Sequence, residues 1–139
     1  MALLATSCRH ALSSNQEALI AAEEWGEAYF NDDFVEAGQY ATPESERWLR
    51  FAASNTTEED LKLLNANKAT VEADEQVTEA NDTMRVVTLH VDNYLESSAL
   101  GSPAKQAKGG LFVVNVVKSN DRWLVKMEGL PQSGKQSRD

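Results

Sequence analysis

Residues 109–129 read GGLFVVNVVKSNDRWLVKMEG, and their reading decides the fold. Two apolar runs, residues 111–117 and 123–127, are rich in β-branched and aromatic side chains. Between them Ser119, Asn120 and Asp121 are turn formers that accept tight or left-handed backbone geometry. The stretch predicts a β-hairpin. Leu111, Phe112, Val113 and Val114 put apolar side chains at both parities, so both faces of the first strand are expected to lie against something. One face can take helices from upstream, and the other a partner chain, which predicts a homodimer through the sheet.

Working back from the hairpin, residues 99–110 (ALGSPAKQAKGG) read as a long loop of small, flexible and basic residues. Before it, residues 84–94 predict a strand with Val87, Leu89 and Val91 on one face and Val86, Thr88, His90 and Asp92 on the other. Asn81 and Asp82 turn the chain into that strand. Val71, Ala73 and Val77 alternate with polar residues, a half-exposed strand.

Upstream the period changes to that of a helix. Residues 14–17 (SNQE) have the form of a capping box, and Ala18, Ala21, Ala22, Trp25, Ala28 and Tyr29 then recur at helical spacing. This predicts a helix over residues 15–30, with Trp25 and Tyr29 inward. Asn31, Asp32 and Asp33 break it and cap a second helix over residues 34–40. Thr42 and Pro43 start a third over residues 44–53, with Trp48, Phe51 and Ala52 on one side. Thr56 and Thr57 cap a fourth that runs to Leu64, anchored by Leu61 and Leu64. Helices followed by four antiparallel strands give an α+β class: N-terminal helices packed on a curved sheet of about four strands. Trp25, Tyr29, Trp48, Phe51, Val87, Leu89 and Val91 are its expected shared core.

At 139 residues the chain is long enough for one self-sufficient core. That domain is expected over residues 14–130, with 131–139 as a disordered tail. The net charge is −9, unevenly spread: residues 1–66 hold 4 basic and 12 acidic side chains, residues 99–139 hold 7 and 3. An acidic body opposes binding to phosphate backbones, so no nucleic-acid partner is expected. A single cysteine forbids an internal disulfide, and two histidines leave no His-rich metal site. Neither metal nor cofactor is expected.

Residues 1–8 (MALLATSC) form a short apolar and small-residue run ending in that cysteine. The run resembles the end of a bacterial lipoprotein signal, in which Cys8 is lipidated and starts the mature chain. The resemblance makes residues 1–13 a signal remnant or a disordered lead. It also implies a cell-envelope or outer-membrane address, with membrane contact only through the lipid; without the lipid a secreted or cytoplasmic address is the alternative.

The run Trp25-x-x-x-Tyr29-Phe30-Asn31-Asp32-Asp33-Phe34-x-x-Ala37-x-x-Tyr40 resembles the start of nuclear transport factor 2-like (cystatin-like) domains. Asn120-Asp121-Arg122-Trp123-Leu124-Val125 is similar to their final strand pair. The nearest flavour is the small lipid-anchored members of unknown function from Bacteroidota. The resemblance implies a cone-shaped fold over about residues 14–129. That superfamily hosts isomerases, dehydratases, cyclases and binding modules, so the pocket and not the fold carries function.

Six residues are candidates for a ligand pocket. His90 and Asp92, two apart on one strand, point the same way and form a candidate acid/base pair. Tyr29 and Tyr40 can offer hydroxyls, Trp48 an apolar wall. Asn115 interrupts an apolar strand, and a buried amide there needs a partner. No nucleophile or phosphate-loop pattern accompanies them, so no catalytic residue is assigned. The leading expectation is a non-enzymatic, envelope-exposed domain that binds a small apolar ligand or a protein. The alternative is a small-molecule enzyme of isomerase, dehydratase or cyclase type, using a cone-shaped apolar pocket.

Overall fold

The computed structural model describes residues 12–96 and 105–132. The assignments made above for residues 1–11, including Cys8, and for 133–139 lie outside the described residues. The chain is α+β: four helices pack with a strongly curled antiparallel sheet, a half-barrel four strands wide.

Helix α1 (Ser14–Tyr29) crosses the concave face, burying Ala18, Ala21, Ala22, Trp25, Gly26 and Ala28. Small residues let it lie close: a Cβ on Gly26 would come within 2.9 Å of the Leu89 side chain and 3.0 Å of Val71. Its capping box sits one residue earlier than the sequence suggests. The Ser13 hydroxyl accepts from the Gln16 amide, and the Gln16 side chain accepts from the Ser13 amide. Helix α2 (Phe34–Gly38), capped by Asp33, stops short of Tyr40. The chain is pulled straight there: the Val125 amide donates to the Tyr40 carbonyl at 2.8 Å, and the Thr42 amide to the Val125 carbonyl at 2.9 Å.

A 3-10 turn (Pro43–Ser45) leads into α3 (Glu46–Ser54). The expected inward face of α3 is corrected: Leu49 is buried, Trp48 half-buried, and Phe51 54% exposed. The buried Ser45 hydroxyl accepts from the Met127 amide at 2.8 Å. Leu49, one helical turn on, follows Ser45 inward. Helix α4 (Glu58–Ala66) buries Leu64, whereas Leu61 is exposed.

Strands β1 (Thr70–Ala73) and β2 (Thr78–Asn81) both pair with one edge of β3 (Met84–Asp92). The single strand read through Val77 is thus two short ones, parted where the Asp74 side chain accepts from the Gln76 amide. On its other edge β3 pairs with β6 (Gly110–Ser119), which pairs with β7 (Arg122–Lys126). Asn120 and Asp121, at φ 51° and 67°, make the two-residue left-handed turn of the β6–β7 hairpin. Val87, Leu89, Val91, Phe112, Val114, Val116, Trp123 and Val125 form the core beneath α1.

The segment read as a loop carries further structure. Strand β4 (Tyr94–Glu96) pairs with β5 (Lys105–Ala107), and residues 97–104 lie outside the described residues. Asn93 (φ 64°) and Gly109 (φ 69°) bend this ribbon away from the main sheet. The Asp92 carboxylate accepts from the Gly109 amide at 2.8 Å and holds the bend.

Candidate functional site

At the C-terminal end of α1 the ribbon, the helices and the sheet leave a cleft of about 420 Å³. Tyr29 and Phe30 come from α1 and the residue after it, Phe34 from α2, Tyr94 from β4 and Phe112 from β6. Their rings touch in series. Centroids are 5.2 Å apart for Tyr29–Phe30, 5.4 Å for Tyr29–Phe34, 4.6 Å for Phe30–Phe112 and 5.1 Å for Tyr94–Phe112. Gly110 makes the last pair fit: a Cβ there would lie 2.5 Å from the Tyr94 ring and 2.8 Å from the Phe112 ring. Trp25 stacks on Tyr29 at 4.9 Å and buries its indole N–H without a partner among the described residues.

The polar part of the wall is acidic. Asp32, Asp60 and Glu96 line the cleft, with Asn55, Thr56 and Gln132, and no Lys, Arg or His is among the described lining residues. Asp32 ends α1. Its amide donates to the Tyr29 carbonyl at 3.0 Å, and the Asp33 amide to the Ala28 carbonyl at 2.9 Å. This two-bond helix ending puts one residue in the left-handed region, a place that usually belongs to glycine. Asp32 occupies it at φ 61°. Burial, and then the charge of Asp60, pushes its carboxyl pKa up to about 6. Burial, then the charge of Asp32, pushes the Tyr29 hydroxyl well above the usual tyrosine range. Asp60 is partly committed, since its carboxylate accepts from the Thr57 amide at 3.0 Å. Asn31 fastens this corner to the residue before β1: its side chain donates to the Ala69 carbonyl at 3.1 Å and accepts from the Ala69 amide at 2.9 Å.

Volume alone does not single out this cleft. A groove of about 470 Å³ runs along α2 and α3, and one of about 510 Å³ lies beside α1. The α2–α3 groove, though, is walled by one continuous stretch of chain, residues 34–53. The aromatic cleft draws on distant segments and holds the one carboxyl with a pKa raised by burial among the described residues.

Of the six residues named from sequence, Tyr29 lines the cleft and the others lie elsewhere. Tyr40 borders the groove beside α1, its hydroxyl donating to Glu36 at 3.2 Å. Trp48 borders a hollow of about 480 Å³ with Arg47, whose guanidinium lies 4.9 Å from its ring. His90 and Asp92 are exposed on the outer face of the sheet. His90 faces Asp74, at 3.8 Å, and Asp92 holds the Gly109 bend. Asn115 is half-buried on the same outer face, opposite Val86 and Lys126, and borders a separate hollow of about 240 Å³. Asp32 and Asp60 went unnoticed because each sits in a turn or cap, where a carboxylate reads as helix punctuation. The signal available was that Asn31-Asp32-Asp33 ends a long helix without a glycine.

No known family model matches the chain, and no curated protein matches it. Among the described residues there is no group of His, Cys, Asp and Glu arranged to hold a metal ion. No described helix is long and apolar enough to cross a membrane.

Proposed function

We propose that this chain is a non-enzymatic binding domain that takes a small molecule in the aromatic cleft. The observation behind this reading is the cleft's construction: about 420 Å³, walled by five rings drawn from the end of α1, α2, β4 and β6. That volume falls within the ~300–1,000 Å³ of typical ligand sites, which are mostly apolar with a few convergent polar groups. A proton shuttle of the isomerase or dehydratase kind would use a donor and an acceptor poised within reach of one substrate. Here the polar wall offers carboxyls, amides and a tyrosine whose proton is held tightly. The α+β half-barrel and the run from Trp25 to Tyr40 support placing the chain among nuclear transport factor 2-like domains. The MALLATSC run supports a cell-envelope address through a lipid on Cys8.

One observation favours the enzyme reading. A carboxyl with a pKa of about 6 in a cleft, such as Asp32, is poised as a general base. It has no histidine or second poised group beside it in the cleft lining.

An amide-shift titration with aromatic fragments tests the lead reading. Binding should move the amides of residues 29–34, Tyr94 and Phe112. Shifts confined to the outer sheet face, or none at millimolar fragment, would contradict it. We also propose a second copy of the chain as a partner on that outer face, where Val113 is 60% and Leu111 38% exposed beside Val86, Val117 and Leu124. Light scattering should give a dimer mass at micromolar concentration, and Val113→Glu a monomer with unchanged stability. A wild-type monomer at high micromolar concentration would contradict the dimer.

A further inference from the structure

We infer that the cleft binds an organic cation, an amine or quaternary ammonium group carried on a compact apolar body. This deepens the reading of the cleft as the ligand site and rests on it. Three observations converge. The first is the wall: the half-buried Tyr29 and Phe34 rings, backed by the buried Phe30, Tyr94 and Phe112, make it aromatic, and aromatic rings attract cations through their quadrupoles. The second is the sign of the polar wall, which contains carboxylates and no basic side chain among the described lining residues. The third is Asp32. Its raised pKa has burial and the Asp60 charge behind it and no hydrogen bond among the described residues, so its carboxylate is desolvated without compensation from them.

These observations discriminate between classes of guest. An anion would meet like charge and find no positive partner among the described lining residues. A neutral apolar molecule would fill the rings but remove still more water from Asp32 and Asp60. A cation turns the same desolvated carboxylate into an attraction and lays its apolar body against the rings. Asp32 and Asp60 belong to different elements, the end of α1 and the first turn of α4, so a charge near both also links those elements.

Three probes of nearly one shape test this by calorimetry on the whole chain at pH 7.5: 2-phenylethylammonium, 2-phenylethanol and phenylacetate. The ammonium should bind about tenfold or more tightly than the alcohol, which corresponds to about 1.4 kcal/mol, and the carboxylate should bind weakest. Asp32→Asn, which keeps a residue tolerant of left-handed backbone, should bring the ammonium down to the alcohol's affinity. The alcohol should bind the variant at least as tightly as wild type, because it no longer dries a carboxylate, and that retained binding also reports an intact cleft. An alcohol or carboxylate that binds as tightly as the ammonium overturns the cation inference and leaves the cleft as a ligand site. A cation preference that survives in Asp32→Asn overturns the role of Asp32. Absence of binding by all three at millimolar concentration overturns both the inference and the reading beneath it.

Discussion

The two ends of helix α1 each hold a charged side chain and treat it in opposite ways. At the N-terminal end Arg85 is 7% exposed and surrounded by partners. Its Nε donates to the Asn15 side chain at 2.6 Å, its Nη1 donates to the carbonyls of Asn81 and Met84, and its guanidinium lies 4.9 Å from the Trp123 ring. Asn15 in turn donates to Glu79 at 3.0 Å, tying α1 to β2. At the C-terminal end Asp32 is half-buried, left-handed, next to a like charge and, among the described residues, without a compensating hydrogen bond. The first end spends a charge on closing the half-barrel. The second holds a half-buried charge next to a like one, in a left-handed backbone position, at the cleft proposed as the ligand site.

The comparison breaks first at the closed end. Arg85→Met keeps much of the packing on Trp123 but strands the Asn15 amide and two carbonyls. It should lower the unfolding free energy by about 2–4 kcal/mol, read from the urea midpoint. A loss below about 0.5 kcal/mol would mean that the network is ornamental. Gly110→Ala acts at the open end by crowding the Tyr94 and Phe112 rings. Overpacking of this kind costs about 1–3 kcal/mol, and it should also abolish fragment binding because the aromatic wall moves. Unchanged binding in that variant would detach the rings from the site.

The smallest effect is the most specific. A carboxyl whose folded pKa is raised binds its proton more tightly folded than unfolded. Its contribution to stability is therefore greatest below the unfolded value near 4 and is lost as pH rises through about 6. Wild type should accordingly fall in stability relative to Asp32→Asn across pH 4–6. Above that window the variant should be the more stable by about 0.5–1 kcal/mol, allowing for solvent screening of a half-buried group. Parallel pH profiles for the two proteins would remove the strain from Asp32.

The same contrast explains what the sequence made legible. Alternation in residues 84–94 places Val87, Leu89 and Val91 inward, and the structure buries all three. That parity also carries Arg85 inward, which periodicity shows while the partners it needs, Asn15 and the Asn81 carbonyl, come from elsewhere in the chain. Asn120 and Asp121 announce their turn because its backbone demand is local. Phe51 was misplaced because the rotation of α3 is set by Ser45 hydrogen-bonding to Met127, 82 residues away. Strand β5 was missed because Lys105, Gln106 and Ala107 have little strand propensity and pair through a bend at Asn93 and Gly109. The cleft was the least legible part. Its rings are separately ordinary core residues, and only the bent ribbon and the end of α1 bring them to one wall.

Thermal unfolding at pH 7.5 of wild type and Asp32→Asn, each with and without 2-phenylethylammonium, tests the central claim most directly. Asp32→Asn should melt higher than wild type without ligand, and the ammonium should raise the midpoint of wild type more than that of the variant, because ligand bound only to the folded state stabilises it in proportion to its affinity. A variant that melts lower than wild type and is stabilised equally by the ammonium would contradict the account.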